Sequence, residues 1–286
     1  MNKWILGARP RTLPAAIAPV LVGTALVRRD HTPINWVNAL LALAVSLLLQ
    51  IAVNYSNDYS DGIRGTDADR VGPIRLVASG MASAKAVKNA ALLTFLLASI
   101  AGLILALRTS PWLIAVGAIA ILAAWGYTGG SKPYGYYGLG ELSVFLFFGV
   151  VATMGSYFAQ AEQLTRRSLL ISIPMGCIAC ALLAVNNLRD LPKDKLVGKR
   201  TLAVRLGDDQ ARDFLIALLL VAHITAILVC TFDGWGILTI IPGFLTARII
   251  GRIRSGIMGK DLIPVLGLLG KLQLFFAFTL AFALFF

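Results

Sequence analysis

The chain is a succession of long apolar runs separated by short polar segments. An apolar run of roughly 20 residues is long enough to cross a bilayer as an α-helix. The sequence predicts about nine such helices, and the run at 235–250 is short and contains Pro242. The predicted spans are 13–27, 36–56, 86–107, 111–127, 139–160, 168–189, 212–231, 235–250 and 262–286. This pattern predicts an all-α, polytopic integral membrane protein.

The composition supports this interpretation. Hydrophobic residues make up 58% of the 286 residues and charged residues only 14%, with a mean hydropathy of +0.79. Soluble domains are usually about one-quarter charged. Because little sequence lies outside the predicted spans, we expect residues 1–286 to form a single transmembrane domain.

The positions of the basic residues predict the orientation in the bilayer. With a cytoplasmic N-terminus, most of the 26 Lys and Arg residues fall in cytoplasmic loops. The loops on the opposite side then carry only Arg28, Arg29, Arg108, Arg166 and Arg167. The positive-inside rule therefore favours a cytoplasmic N-terminus.

The net charge of +12 has two interpretations. Positive-inside placement and anionic lipid head groups account for the cations at 248–260. The cations of the two long cytoplasmic loops, about 57–85 and 190–211, favour an anionic substrate instead. Nucleic-acid binding is not expected, because the cations are dispersed over short loops. The lipid bilayer is the expected environment, and no protein partner is predicted.

Two acidic segments interrupt the apolar pattern at the cytoplasmic ends of the second and sixth predicted spans. They contain Asn54, Asn57, Asp58 and Asp61, and Asn186, Asn187, Asp190 and Asp194. The two segments resemble each other, since Ala52, Val53, Asn54 and Asp58 recur as Ala184, Val185, Asn186 and Asp190, each 132 residues later. We therefore expect two pseudo-repeated halves, with aspartate motifs at 54–69 and 186–194. Ionisable residues next to hydrocarbon are costly and indicate a functional site.

The spacing of these aspartates indicates what they bind. Asp58 and Asp61 share one face of a helix with Asn54. Asp190 and Asp194 also align if their backbone is helical, although Pro192 is expected to end the sixth span near Asp190. One aspartate alone would be interpreted as a helix cap. Two duplicated clusters instead favour a divalent, oxygen-loving metal such as Mg²⁺, which is typically held by one or two carboxylates together with substrate phosphates.

Basic residues in the adjoining loops can balance the remaining phosphate charge. These candidates are Arg64, Arg70, Arg75, Lys132 and Lys199. Arg9, Arg11 and Lys132 are candidates for binding an anionic second substrate, although Arg9 and Arg11 are equally explained as topological anchors before the first span. Glu141 is a candidate for orienting a hydroxyl group or acting as a base, or else it pairs with a neighbouring cation.

The motifs around these residues are similar to those of a known family. Asn57-Asp58-x-x-Asp61, followed by Gly65-Thr-Asp67-Ala-Asp69-Arg70-Val-Gly72-Pro73, resembles the first aspartate motif of the UbiA superfamily of membrane prenyltransferases. Asp190-x-x-x-Asp194, followed by Gly198-Lys199-Arg200-Thr201, resembles the second. Within the superfamily, the resemblance is greatest to the MenA family of 1,4-dihydroxy-2-naphthoate polyprenyltransferases. It is carried by the segments 7–14 and 57–75 and by Gly138-Leu-Gly140-Glu141.

This resemblance implies a UbiA-like bundle of about nine helices around a central cavity, in the bacterial cell (inner) membrane, with a cytoplasmic active site. It implies that a polyprenyl group passes from polyprenyl diphosphate to 1,4-dihydroxy-2-naphthoate, with loss of carbon dioxide and diphosphate. The product would be a demethylmenaquinone, in menaquinone biosynthesis. The alternatives are another acceptor (4-hydroxybenzoate, homogentisate or a sugar phosphate) and, from a different class, a secondary transporter.

The resemblance also assigns roles to residues. Mg²⁺ is the implied cofactor, and Gly65 stands where the superfamily has a third aspartate. Asp67 and Asp69 are the alternatives to replace it, and Asp67 is the one included among the expected ligands. The expected metal ligands are Asp58, Asp61, Asp190, Asp194 and Asp67. The expected catalytic residues are Asp58, Asp61, Asp190, Asp194 and Lys132. The expected substrate-binding residues are Asn54, Asn57, Arg64, Arg70, Arg75, Tyr127, Tyr134, Glu141, Asn187, Lys199 and Arg9, with the two tyrosines able to face an allylic cation.

Overall fold

The computed structural model of the protein describes residues 2–66, 72, 74–230 and 236–286, and all regular structure in these residues is helical. The α-helices are α1 (Lys3–Ala8), α2 (Pro14–Arg29), α3 (Trp36–Ile63), α4 (Ala84–Arg108), α5 (Trp112–Gly126), α6 (Gly140–Val144), α7 (Ala152–Ala161), α8 (Arg166–Leu196), α9 (Leu202–Leu206), α10 (Asp208–Cys230), α11 (Gly243–Arg254) and α12 (Ile263–Phe285). Short 3-10 turns occupy Pro10–Thr12, Tyr134–Tyr137, Gly236–Ile240 and Gly259–Leu262, and a π-helix occupies Phe145–Val151. The predicted all-α fold is confirmed.

The helices are long and apolar enough for an integral membrane protein. Among the described residues, seven helical segments can cross a bilayer by length and composition. An eighth is obtained if α1 and α2, which are bent by 51° at their junction, count as one span. Helix α5 is apolar but shorter, at 15 residues. Membrane insertion is therefore confirmed, whereas nine spans and a cytoplasmic N-terminus stay predictions.

Helix α8 lies at the centre of the bundle and is mostly buried. It packs against α10, α12 and the π-helix, while α2 packs against α12 and α7. The π-helix approaches α8 closely, because a Cβ on Gly149 would lie 2.5 Å from the Cα of Gly176. Small residues permit such close helix packing in membranes. Helices α4 and α5 lie outside this core and leave many leucines and isoleucines exposed, as expected of lipid-facing surfaces.

Helix α8 differs from the sequence prediction at its C-terminal end. Pro192 was expected to end the helix, but α8 continues through Pro174 and Pro192 to Leu196. A proline in a helix removes one backbone hydrogen bond. Here the turn after Pro192 is retained, with Asp194 buried and the Lys193 carbonyl accepting from the Val197 N–H. Asp190 and Asp194 therefore lie one turn apart on a single helix.

The bend between α1 and α2 is held by α3. Arg9 ends α1 in the left-handed conformation, with φ of 52°. The Asn54 side-chain amide donates to the Ala8 carbonyl at 2.9 Å and to the Thr12 hydroxyl at 3.0 Å. Arg9 in turn donates to the Asn54 carbonyl at 3.1 Å. These bonds fix the segment at 9–12 against the end of α3 that carries the first acidic motif.

Candidate active site

A cavity of about 880 Å³ lies inside the bundle. Its polar lining includes Arg9, Arg11, Asn54, Asn57, Asp61, Arg75, Tyr127, Tyr134, Tyr136, Asn186, Asn187, Asp190, Lys193, Asp194 and Lys199. Its apolar lining includes Val45, Leu49, Leu105, Leu113, Val116, Ala120, Phe147, Phe148, Val151 and Leu182. Along α3, the lining extends from Ala42 to Asp61, which corresponds to roughly 28 Å at 1.5 Å per residue. The polar residues of α3 cluster at its C-terminal end, so the cavity has a charged end and a long apolar part.

Asp61 is the acidic centre contributed by the first motif. Its carboxylate is buried and lies 3.9 Å from Arg75 and 3.6 Å from Lys199. The Tyr136 hydroxyl donates a hydrogen bond to the same carboxylate. Burial, and then the charge of Asp61, raises the pKa of Tyr136, so this phenol keeps its proton at neutral pH. Asp61 therefore already has two cations and one hydroxyl donor around it.

The loop after α8 brings Lys199 to Asp61. The Lys199 N–H donates to the Asp194 carbonyl at 2.9 Å, and the Arg200 N–H donates to the Tyr136 carbonyl at 2.8 Å. The Lys199 ammonium lies 4.4 Å from the centre of the Tyr136 ring. The end of α8, the end of α3 and the Tyr134–Tyr137 turn are thus joined at one side of the cavity.

Asp190 and Asp194 line the cavity from α8. Asp190 accepts two hydrogen bonds from Arg189, each of 2.7 Å, in a bidentate ion pair. The Arg189 side chain is buried, and a Cβ on Gly72 would lie 3.3 Å from its guanidinium. The loop that follows the first motif therefore reaches the counter-ion of the second motif. Both acidic motifs contribute to one site.

Asp58 was expected to be a metal ligand, but in this structure its carboxylate binds backbone groups outside the cavity lining. Its carboxylate is fully buried and accepts hydrogen bonds from the backbone N–H groups of Leu76 (2.8 Å) and Val77 (3.0 Å). Asp58 is not among the residues that line the cavity. In this structure it anchors the turn that carries Arg75, and thereby places Arg75 beside Asp61.

Arg64 and Lys132 also lie away from the cavity lining. Arg64 donates to the carbonyls of Thr128 and Gly130, which fastens the end of α3 to the loop after α5. Lys132 is exposed on that loop. The sequence predicted that Lys132 balances phosphate charge or binds the anionic acceptor, but in the structure Tyr127 and Tyr134 line the cavity and Lys132 lies at the surface. Asp67 and Arg70 lie outside the described residues.

Tyr127 and Tyr134 line the cavity next to each other, with ring centres 5.6 Å apart in an edge-to-face arrangement. Tyr134 donates to the Ala123 carbonyl at 2.7 Å, which fixes its ring. Burial raises the pKa of Tyr134, so this phenol keeps its proton at physiological pH.

Glu141 lies behind the cavity wall. Its Oε1 accepts a hydrogen bond of 2.7 Å from the side-chain amide of Asn187, which does line the cavity. Glu141 itself borders a smaller cavity of about 280 Å³. The predicted residue Asn57, on α3, also lines the cavity, and its side-chain oxygen accepts a hydrogen bond of 2.7 Å from the Thr128 hydroxyl. Glu141 thus reaches the main cavity through the amide that it orients.

The predicted set did not include Tyr136 and Lys193, which line the cavity, or Arg189, which pairs with the cavity residue Asp190. The motif itself contained a signal for two of them, because Arg189 directly precedes Asp190 and Lys193 stands between Asp190 and Asp194. Tyr136 lies in the same loop as the predicted residues Lys132 and Tyr134. Only the folded loop shows that this tyrosine, and not Lys132, contacts Asp61.

The donor set is suited to a hard divalent ion. Among the described residues, no three His, Cys, Asp or Glu side chains are gathered as a ready metal cluster. Asp61, Asp190 and Asp194 nevertheless border one cavity, together with amide oxygens from both halves of the chain. Mg²⁺ takes oxygen ligands and is usually held by one or two carboxylates plus substrate phosphates. These residues therefore fit a metal that arrives with a phosphorylated ligand.

The comparisons with known proteins agree with this arrangement. Residues 16–261 match the UbiA prenyltransferase family. The chain is 50% identical to the 1,4-dihydroxy-2-naphthoate octaprenyltransferase of Mycobacterium tuberculosis (strain H37Rv), over 99% of this chain and 96% of the relative. It is 41% identical to the enzyme of that name from Escherichia coli (strain K12), over 76% and 72% of the two chains.

Solved structures show the same fold. The UbiA homolog from Archaeoglobus fulgidus, determined bound to GPP and Mg²⁺, superposes with a TM-score of 0.72, 16% sequence identity and 99% coverage of both chains. The apo UbiA homolog from Aeropyrum pernix K1 gives a TM-score of 0.72 at 15% identity, over 94% of this chain and 95% of that one. The matched sequence and the shared fold establish that the chain belongs to the UbiA prenyltransferase family.

Proposed function

We propose that the protein transfers a polyprenyl group from polyprenyl diphosphate to 1,4-dihydroxy-2-naphthoate. The observation that carries this proposal is the cavity, in which carboxylates and cations from both motifs meet at one end of a long apolar space. A prenyl diphosphate has the same division between a charged head and an apolar tail. The naphthoate is proposed as acceptor because the bacterial relatives that match most of the chain bear that substrate in their names.

We propose Mg²⁺ as the cofactor, held by Asp61, Asp190 and Asp194. A UbiA homolog with this fold was determined with GPP and Mg²⁺ bound. When bound, the ion supplies positive charge that stabilises the departing diphosphate. In the structure, Asp61 is neutralised by Arg75 and Lys199, and Asp190 by Arg189. With a metal held by the carboxylates, Arg75, Lys199 and Arg189 would be available to phosphate oxygens.

The protein's own groups then govern the bond changes. The allylic C–O bond breaks, and its electron pair leaves with the diphosphate, whose charge Arg75 and Lys199 balance. The ring carbon that bears the acceptor's carboxylate forms the new C–C bond. Its bond to the carboxylate then breaks, so that carbon dioxide leaves and the electron pair of that bond restores the aromatic ring. Tyr127 and Tyr134 present neutral aromatic faces to the cation-like allylic carbon. The apolar walls keep water away from that carbon.

The location follows from the same division of the cavity. The prenyl tail extends along the apolar part between α3 and α5, within the membrane. The charged end coincides with the loops that carry the basic residues, so the positive-inside rule assigns it to the cytoplasm. We therefore propose a cell-membrane enzyme whose soluble acceptor enters from the cytoplasmic side.

The test is to incubate the purified protein with a polyprenyl diphosphate, Mg²⁺ and a panel of acceptors, and to identify the products by mass spectrometry. The panel contains 1,4-dihydroxy-2-naphthoate, 4-hydroxybenzoate, homogentisate and a sugar phosphate. Prenylation of the naphthoate, with release of carbon dioxide and dependence on the metal, is the expected result. Prenylation of another acceptor in its place would retain the enzyme class and refute the substrate.

A further inference from the structure

The side chain of Lys193 has an environment unlike that of the other cations around the cavity. Its ammonium nitrogen is buried, lines the cavity and has no hydrogen-bond partner among the described residues. Arg189, Arg75 and Lys199 each face a carboxylate. A buried ammonium without a counter-ion is strongly disfavoured. Its retention at the charged end of the cavity indicates an anion that is present only when ligand is bound.

The position of Lys193 in the sequence repeat reinforces this argument. Lys193 follows Asp61 by the same 132 residues that separate Asp58 from Asp190. The two halves of the chain therefore place residues of opposite charge at equivalent positions, and both line the cavity. The first half contributes an acid suited to a metal, and the second half contributes a base suited to a phosphate.

Helix electrostatics do not explain this side chain. A lysine in the last turn of a helix is favoured by the helix dipole, and Lys193 and Lys195 both lie in the last turn of α8. Lys195 is exposed, as that explanation requires. An exposed Lys193 ammonium would interact with the helix dipole equally well, so the dipole does not explain why this group is buried.

We infer that Lys193 is a catalytic residue that binds the diphosphate group of the prenyl donor and stabilises it as it leaves. The inference rests on the proposed function and adds to it a cation that belongs to the second motif. A lysine acts as a compact charge with three donors, so it can follow a diphosphate from substrate to leaving group. Since the Lys193 ammonium has no hydrogen-bond partner among the described residues, no existing ion pair has to break before it binds the diphosphate.

The test measures binding of inorganic pyrophosphate with Mg²⁺ to the full-length protein in detergent, by titration and by the shift in melting temperature. Lys193→Met keeps the length of the side chain and removes its charge, whereas Lys193→Arg keeps the charge. Lys195→Met is the control on the same turn. We expect Lys193→Met to weaken pyrophosphate binding roughly 10- to 100-fold. Lys193→Arg should lose much less, and the Lys195 control should bind like the unmodified protein.

Stability without ligand separates a ligand site from a structural role. Removal of a buried charge that lacks a partner should leave the melting temperature of Lys193→Met unchanged or raise it. A drop in melting temperature without pyrophosphate, or binding equal to that of the unmodified protein, would overturn the inference. If the unmodified protein binds pyrophosphate but does not prenylate the naphthoate, the acceptor proposal fails and the role of Lys193 stands. If the unmodified protein does not respond to pyrophosphate, the role of Lys193 fails, whereas the proposed function is decided separately by the product assay.

Discussion

The ammonium of Lys199 lies 3.6 Å from a carboxylate oxygen of Asp61, although the two residues belong to motifs in opposite halves of the chain. This ion pair joins the loop after α8 to the end of α3. It also blocks part of the Asp61 carboxylate until another cation replaces Lys199. With a cation bound at Asp61 in its place, Lys199 would be released to pair with a phosphate group.

The first prediction concerns the cavity carboxylates. Asp61→Asn, Asp190→Asn and Asp194→Asn each remove one negative charge with little change in shape, so metal and diphosphate are held less well. Turnover should fall about 10²-fold or more, and the apparent affinity for Mg²⁺ should fall as well. Asp213→Asn, at an exposed position on α10, is the control. Full activity in Asp61→Asn and Asp190→Asn would rule out the assigned metal site.

Asp58 leads to a second prediction, because its carboxylate holds two backbone N–H groups. Asp58→Asn replaces one acceptor oxygen with an NH₂ group that faces an N–H donor. The expected result is a loss of roughly 1–3 kcal/mol in unfolding free energy, together with reduced turnover because Arg75 is misplaced. Thermal denaturation and a Mg²⁺ titration check this in parallel. A large loss of Mg²⁺ affinity in a variant of unchanged stability would show instead that Asp58 ligates the metal directly.

A third prediction compares Lys132 with Lys199. The sequence indicated that Lys132 takes part in catalysis, but its side chain is exposed, whereas Lys199 lines the cavity beside Asp61. Lys199→Ala should lower turnover about tenfold or more, since one phosphate-balancing cation is lost. Lys132→Ala should change it only about twofold, as is usual for exposed charges. Steady-state rates of both variants in the same membranes decide between them, and a larger loss in Lys132→Ala would mean that its loop closes over the substrate.

The pair of Glu141 and Asn187 gives a fourth prediction. If Glu141 acts by orienting the Asn187 amide, Glu141→Gln keeps an acceptor oxygen and should retain activity within about threefold. Glu141→Ala removes that acceptor and should lower turnover roughly tenfold. The measurement is kcat and KM for both substrates in the two variants. An equal, large loss in Glu141→Gln would indicate that the negative charge itself is required.

The helical architecture was predictable from the sequence because a membrane requires apolar runs of fixed length. The predicted span at 36–56 begins where α3 begins, at Trp36. The hydropathy pattern did not show that α3 continues to Ile63, because the last two turns of the helix are polar. Asp58 and Asp61 in these turns are nevertheless buried in the protein. The same applies to α8, where tertiary packing outweighs the helix-breaking tendency of Pro192.

The roles of individual aspartates were less predictable. Helical periodicity places Asp58 and Asp61 on one face, and this is correct as far as local geometry goes. It cannot show that the turn at 76–77 takes up the carboxylate of Asp58 while Lys199 approaches Asp61. Such partners come from segments distant in the sequence. In the same way, Lys193 became a candidate only when its ammonium group was found buried in the cavity.

The last prediction concerns the length of the prenyl chain. Gly117 lies on α5 and lines the cavity ten residues before Tyr127, roughly 15 Å along the helix. A Cβ at Gly117 would meet no atom within 4 Å, so a larger side chain can extend into the cavity without displacing neighbouring side chains. Gly117→Leu should therefore obstruct a long tail and leave room for a short one.

We expect kcat/KM for a long-chain donor, such as octaprenyl diphosphate, to fall at least about tenfold relative to geranyl diphosphate. Gly251→Leu is the matched control, because a Cβ at that position also meets open space but Gly251 does not line the cavity. Rates with the two donors, measured side by side in the same detergent, give the ratio directly. An unchanged ratio of the two kcat/KM values would mean that the tail does not pass Gly117 and leaves the bundle by another route.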